Sequence, residues 1–161
     1  MHNLAIALRL NGSTVTGSDD EIFEPARSRL ASYKLLPEKY GWYPEKITDD
    51  IDIIILGMHA KSDNPELVKA IESGIKIMSF PEFLFEQTKD KKRIVVAGSH
   101  GKTTTTAMIM HVLKTLGMKF DFMVGSSISG YETMVSLSDD SKIAVLEGDE
   151  YLTSPIDRRP K

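Results

Sequence analysis

Arg93-Ile94-Val95-Val96-Ala97-Gly98-Ser99-His100-Gly101-Lys102-Thr103 is the stretch on which the reading of this chain turns. Residues 93–97, apolar after Arg93, read as a strand. A loop carrying Gly98 and Gly101 follows at once, and Lys102 opens a helix with Ile109, Val112, Leu113 and Leu116 as its buried face and Gly117 as its end. Triphosphate binding needs many donors close together. Glycines let backbone N–H groups approach phosphates, and the next helix points its positive end at them. On this reading Gly98, Ser99, His100, Gly101, Lys102, Thr103 and Thr104 make an ATP loop. Lys102 reaches the β- and γ-phosphates, the Thr103 hydroxyl ligates Mg²⁺, and Thr104 touches a phosphate. One position departs from the general pattern: Val96, not a glycine, stands five before Gly101. A bare Gly-Lys-Thr would carry little weight; a strand before it and an amphipathic helix after it supply the context. Thr105 and Thr106 are assigned to packing or to local backbone bonding.

Downstream, residues 120–124 and 143–146 read as two more strands. Glu147-Gly148-Asp149-Glu150 follows the second of them, where a P-loop enzyme keeps an acid near its metal. Glu147 is the first choice for the Mg²⁺ site, ahead of Asp149 and Glu150; a solvated acidic turn is the plain alternative.

Upstream, Lys89-Asp90-Lys91-Lys92 is a charged, non-periodic stretch, and a domain boundary is placed there, giving domains 1–90 and 91–161. Residues 51–56 are a nearly continuous apolar run, as in a parallel strand covered on both faces. Asn64 caps a helix with Pro65 at its first position, an apolar face of Leu67, Ala70 and Ile71, and Gly74 at its end. Residues 75–78 read as the next strand, and Ser79-x-x-Glu82 has the form of a capping box. Met1, Leu4, Ala5 and Leu8 fall on one helix face; residues 14–16 read as a short strand, and residues 25–33 as a helix. Strands alternating with helices imply an α/β chain with mostly parallel sheets.

Composition narrows the function. The chain has 161 residues, a hydrophobic share of 41%, a charged share of 27% and a net charge of −3. That is a globular balance, with no basic stripe for nucleic acid. There are no cysteines, so thiol catalysis and disulfides are excluded, and a reducing cytoplasm is compatible. Apolar runs such as Ile53-Ile54-Ile55-Leu56 are too short to span a bilayer, so no membrane insertion is expected.

Gly98-Ser99-His100-Gly101-Lys102-Thr103-Thr104 resembles the ATP loop of the Mur ligases. Val15-Thr16-Gly17-Ser18-Asp19, His59-Ala60-Lys61-Ser62-Asp63-Asn64-Pro65-Glu66 and Glu147-Gly148-Asp149-Glu150-Tyr151 are similar to segments of one branch of that family. The branch holds the UDP-N-acetylmuramate–L-alanine ligases and the murein peptide ligases, and the tail toward Asp157-Arg158-Arg159 leans to the latter. The resemblance implies a cytoplasmic, ATP- and Mg²⁺-dependent carbon–nitrogen ligase of peptidoglycan synthesis or recycling. Its substrates would be UDP-N-acetylmuramate and L-alanine or a murein peptide. It further implies an incomplete Rossmann-like domain holding the UDP-sugar, followed by the start of a P-loop ATPase domain. Lys102, Thr103 and Glu147 match family positions for phosphate and metal. His100 would lie between ATP and the sugar, and Asp19, His59 and Asn64 would face the UDP-sugar, although capping alone explains Asn64.

In a Rossmann unit a glycine-rich loop lies about twenty residues before an acid placed like Asp19. Counting back puts that loop at or before Met1. The expectation is therefore a chain that begins inside a βαβ unit, stops short of the amine-binding region and does not catalyse ligation alone. A kinase-like NTPase, a folylpolyglutamate synthase and a non-catalytic nucleotide-binding module are the rival readings.

Overall fold

The computed structural model describes residues 1–148. The elements in chain order are α1 (His2–Leu10), α2 (Ala26–Ser32), a 3-10 turn (Pro44–Lys46), β1 (Ile54–Leu56), α3 (Pro65–Glu72), β2 (Ile77–Ser79), α4 (Phe80–Thr88), β3 (Lys92–Val96), α5 (Lys102–Thr115), β4 (Asp121–Met123), β5 (Val135–Ser136) and β6 (Ile143–Glu147). Two compact units divide them. Among the described residues the first comprises Met1 and residues 16–84, the second residues 2–15 and 85–148.

The first unit is a β1-α3-β2 crossover. β1 and β2 pair in parallel, Ile54 opposite Ile77 and Leu56 opposite Ser79. The crossover helix starts where the sequence requires: the Asn64 side-chain oxygen accepts from the N–H groups of Glu66 (2.9 Å) and Leu67 (3.2 Å), and Pro65 occupies the first turn. Leu67 and Ala70 are buried, but Ile71 is 60% exposed, contrary to the expected face. The buried stripe is centred between Leu67 and Ala70, which leaves Ile71 roughly 70° round the helix. The capping box at α4 is reciprocal: Glu82 N–H donates to Ser79 Oγ at 3.3 Å, and Ser79 N–H to Glu82 Oε2 at 3.4 Å. Residues 14–16 form no strand. A strand that short has no stability without a partner, and none of the described strands pairs with it.

The second unit is a four-stranded sheet in the order β3-β6-β4-β5. β3 and β4 both run parallel to β6, while the unanticipated β5 lies antiparallel to β4. α5 packs against β6 and β3. Its buried stripe is Thr106, Met110 and Leu113, at i, i+4 and i+7, joined by Phe122, Val124 and Val145 in the core. Val112 (53% exposed) and Leu116 (67%) face outward, which corrects the expected face. The helix is turned roughly 70° from that expectation, and a cause lies in its first turn, where the Thr103 hydroxyl is hydrogen-bonded to the end of β6.

α1 buries Leu4, Ile6 and Ala7 and packs on β5 within this same unit. Met134 N–H donates to Asn3 Oδ1 at 3.3 Å, and the Asn11 amide donates to the Leu137 carbonyl. The charged stretch at which the domain boundary was placed holds a buried pair. Lys91 Nζ lies 2.5 Å from Asp121 Oδ2, their side chains 13% and 1% exposed. Ser141 and Ser138 donate to Asp121 Oδ1 at 2.6 Å and 3.0 Å. No helix among the described residues is long and apolar enough to cross a membrane.

Candidate functional site

Parallel pairing decides where the chemistry-bearing residues meet. Because β3 and β6 run the same way, with Val96 opposite Glu147, both strands end at one edge of the sheet. The loop after β3 and the carboxylate ending β6 arrive there together, the edge at which open α/β sheets bind ligands. Gly148 N–H donates to the Val96 carbonyl at 2.8 Å and extends this register one residue past Glu147.

Two residues of the loop adopt conformations that favour glycine. Gly98 has φ +146° and Gly101, at the N-terminus of α5, has φ +75°. These turns curl the chain so that the Lys102 side chain reaches back over it, Nζ donating to the Gly98 carbonyl at 2.8 Å. Ser99, His100 and Thr104 are exposed around this curl, and the first turn of α5 begins with Thr105 N–H bonded to the Gly101 carbonyl at 2.9 Å. An ammonium group, exposed hydroxyls and the positive end of a fourteen-residue helix thus gather at one place.

Glu147 is 9% exposed and doubly held. Thr103 Oγ1 donates to its Oε1 at 2.9 Å, and Gly125 N–H donates to its Oε2 at 2.9 Å. A hydroxyl beside a carboxylate is an all-oxygen donor set. It suits Mg²⁺, which commonly takes one or two carboxylates and completes its shell with water and phosphate oxygens. Asp149 and Glu150, the other acids of the cluster, lie outside the described residues.

Asp19, His59 and Asn64 belong to the first unit. Asp19 is exposed, and its carbonyl accepts from Gly41 N–H at 2.8 Å. Partial burial raises its carboxyl above the usual range, and a hydrogen bond with Asp20 adds to the rise. His59 is exposed in the turn after β1. The Asn64 oxygen is committed to its helix cap. Gly125 escaped the sequence reading, although a glycine just after the expected strand 120–124 was a signal of the same kind as Gly98 after β3.

No family model matches the chain. The chain is 30% identical, over its whole length, to the UDP-N-acetylmuramate–L-alanyl-γ-D-glutamyl-meso-2,6-diaminoheptandioate ligase of Haemophilus influenzae, of which it covers 35%. It is 34% identical over 93% of its length to the UDP-N-acetylmuramate–L-alanine ligase of a Sulfurihydrogenibium species, covering 32% of that protein. Among solved structures, the UDP-N-acetylmuramate:L-alanyl-γ-D-glutamyl-meso-diaminopimelate ligase of Neisseria meningitides superposes with a TM-score of 0.84 at 26% identity, over 99% of this chain and 52% of that one, and a murein peptide ligase of Psychrobacter arcticus with a TM-score of 0.81 at 28% identity, over 99% of this chain and 37% of that one. The chain spans about a third of the length of these curated relatives. With strand, loop, helix and carboxylate in the order the motifs required, and with this similarity running from end to end, the chain belongs to the Mur ligase family, in the branch of the UDP-N-acetylmuramate–L-alanine and murein peptide ligases.

Proposed function

We propose that this chain is the nucleotide-handling part of a cytoplasmic, ATP-dependent ligase that joins L-alanine or a murein peptide to UDP-N-acetylmuramate. One observation supports it above the others: Lys102 and the Thr103–Glu147 pair converge at one sheet edge in a chain similar throughout to such ligases. The functional domains are taken as 1–90 for the sugar nucleotide and 91–161 for ATP, a division along the sequence that differs from the two compact units at residues 2–15 and 85–90, which pack with the second.

A carboxylate is a poor electrophile. In the proposed reaction a carboxylate oxygen of the muramoyl group attacks the γ-phosphorus, the bond to the β-phosphate oxygen breaks, and ADP leaves. The amine nitrogen then attacks the activated carbonyl carbon, phosphate departs, and the amine gives up a proton. Lys102 would turn from the Gly98 carbonyl to the β- and γ-phosphates and offset charge on the transferring group. Gly98, Ser99, Gly101 and Thr104 would line the phosphates, and His100 would stand between ATP and the sugar. Thr103 and Glu147 would hold Mg²⁺, which neutralises charge on the phosphates when bound. Asp19, His59 and Asn64 are assigned to the sugar nucleotide, Asn64 through the turn it caps.

Calorimetric titration with ATP in the presence of Mg²⁺ tests the site. Lys102→Ala is expected to abolish measurable binding. An unchanged affinity would place the phosphate loop elsewhere.

A further inference from the structure

We propose that Gly125 is a positioning residue for the Glu147 carboxylate. Its N–H fixes one carboxylate oxygen so that the other faces Thr103, and its missing side chain leaves the carboxylate its place. The inference rests on the reading of Thr103 and Glu147 as the pair that holds Mg²⁺.

Sheet topology brings Gly125 to this position. β4 runs parallel to β6 on the side away from β3, with Met123 opposite Leu146. Two residues on, the chain passes Glu147, and Gly125 N–H donates to Oε2 at 2.9 Å while Thr103 donates to Oε1 at 2.9 Å. The last torsion of a glutamate is broad and nearly two-fold. Donors on the two separate oxygens hold it at one value, so the carboxylate is set before any ion arrives. Outer hydrogen bonds of this sort orient metal ligands, and their loss typically weakens metal binding about 10–100-fold.

The absence of a side chain at 125 has a spatial reason and not a conformational one. Gly98 and Gly101 have φ in the range that favours glycine, but Gly125 does not. A Cβ there would instead lie 3.1 Å from Glu147 Oε1, 3.4 Å from Cδ and 3.5 Å from Oε2, against the whole carboxylate group. Gly125 is itself exposed, so a methyl group at this position meets the carboxylate without entering the apolar core.

Gly125→Ala in this chain is the test, with ATP affinity measured by calorimetry in Mg²⁺ and again in EDTA. The parent is expected to bind ATP more tightly in Mg²⁺. Gly125→Ala should cut that gain by about tenfold or more and leave the affinity in EDTA unchanged. Adding Glu147→Asp should restore part of the gain, because the shorter acid withdraws its carboxylate from the new methyl. A merely structural role would lower both affinities together and would not be rescued. A full Mg²⁺-dependent gain in Gly125→Ala, beside a lost gain in Glu147→Gln, would overturn the inference and leave the site reading intact. A parent without any gain, or a Glu147→Gln variant that keeps it, would overturn the site reading and the inference with it.

Discussion

Thr106 is fully buried on the inner face of α5, and its hydroxyl has no hydrogen-bond partner among the described residues. An orphaned buried hydroxyl costs about 1–3 kcal/mol of desolvation, and valine has nearly the same shape. Thr106→Val is therefore expected to stabilise the second unit by about 1 kcal/mol, or roughly 4–8 °C in the melt of a unit this size. A lower melting temperature would mean that the hydroxyl has a partner in solution, as a local backbone bond or a water would provide. The four consecutive threonines show how unevenly single residues can be read. The role proposed for Thr103 comes from its place after Gly-Lys, because that position has one chemical duty in a phosphate loop. Thr106 does not, because which face of a helix is buried depends on where its first turn is anchored. Here the anchor is the bond from Thr103 to Glu147, forty-four residues away in sequence.

At the scale of elements, the strand-loop-helix and the cap of α3 were legible because each is written locally, in residues that touch one another. Asn64-Pro65 is a cap and a first turn whatever surrounds it. β5 was not legible: two residues long, it exists only because β4 offers an antiparallel edge. Nor was the role of Lys91, which lies in a run of charges that looks like solvated loop. Its ammonium bridges β4 to the segment before β6, contacting Asp121, Ser141 Oγ at 3.0 Å and the Ser138 carbonyl. Removing one partner of a buried pair leaves an uncompensated charge, at a cost of about 3–5 kcal/mol. Lys91→Met is expected to destabilise the second unit by about that amount in urea denaturation, whereas Lys89→Met is expected to be near neutral. The Lys89 pair with Glu86 is exposed, and exposed pairs contribute little. Equal effects of the two substitutions would mean that the buried network contributes nothing beyond an ordinary surface contact.

At the scale of the whole molecule, the two units carry different parts of the proposed reaction. The second holds the loop, Lys102 and Glu147, and all three are explained by one sheet edge. The first holds Asp19, His59 and Asn64. No residue of the chain is assigned to the amine, and the curated relatives are about three times as long. ATP binding and amide formation should therefore separate in this chain. With ATP, Mg²⁺, UDP-N-acetylmuramate and L-alanine, it is expected to release phosphate no faster than its Lys102→Ala variant, even where calorimetry shows the parent binding ATP. Turnover above that baseline would mean that these 161 residues also seat the amine, and would overturn the assignment of the chain to nucleotide handling alone. ATP binding without turnover would be expected of a part whose phosphate loop and metal carboxylate are set by its own strands. In such a part Glu147 takes its place from β6, Thr103 and Gly125, all within the second unit.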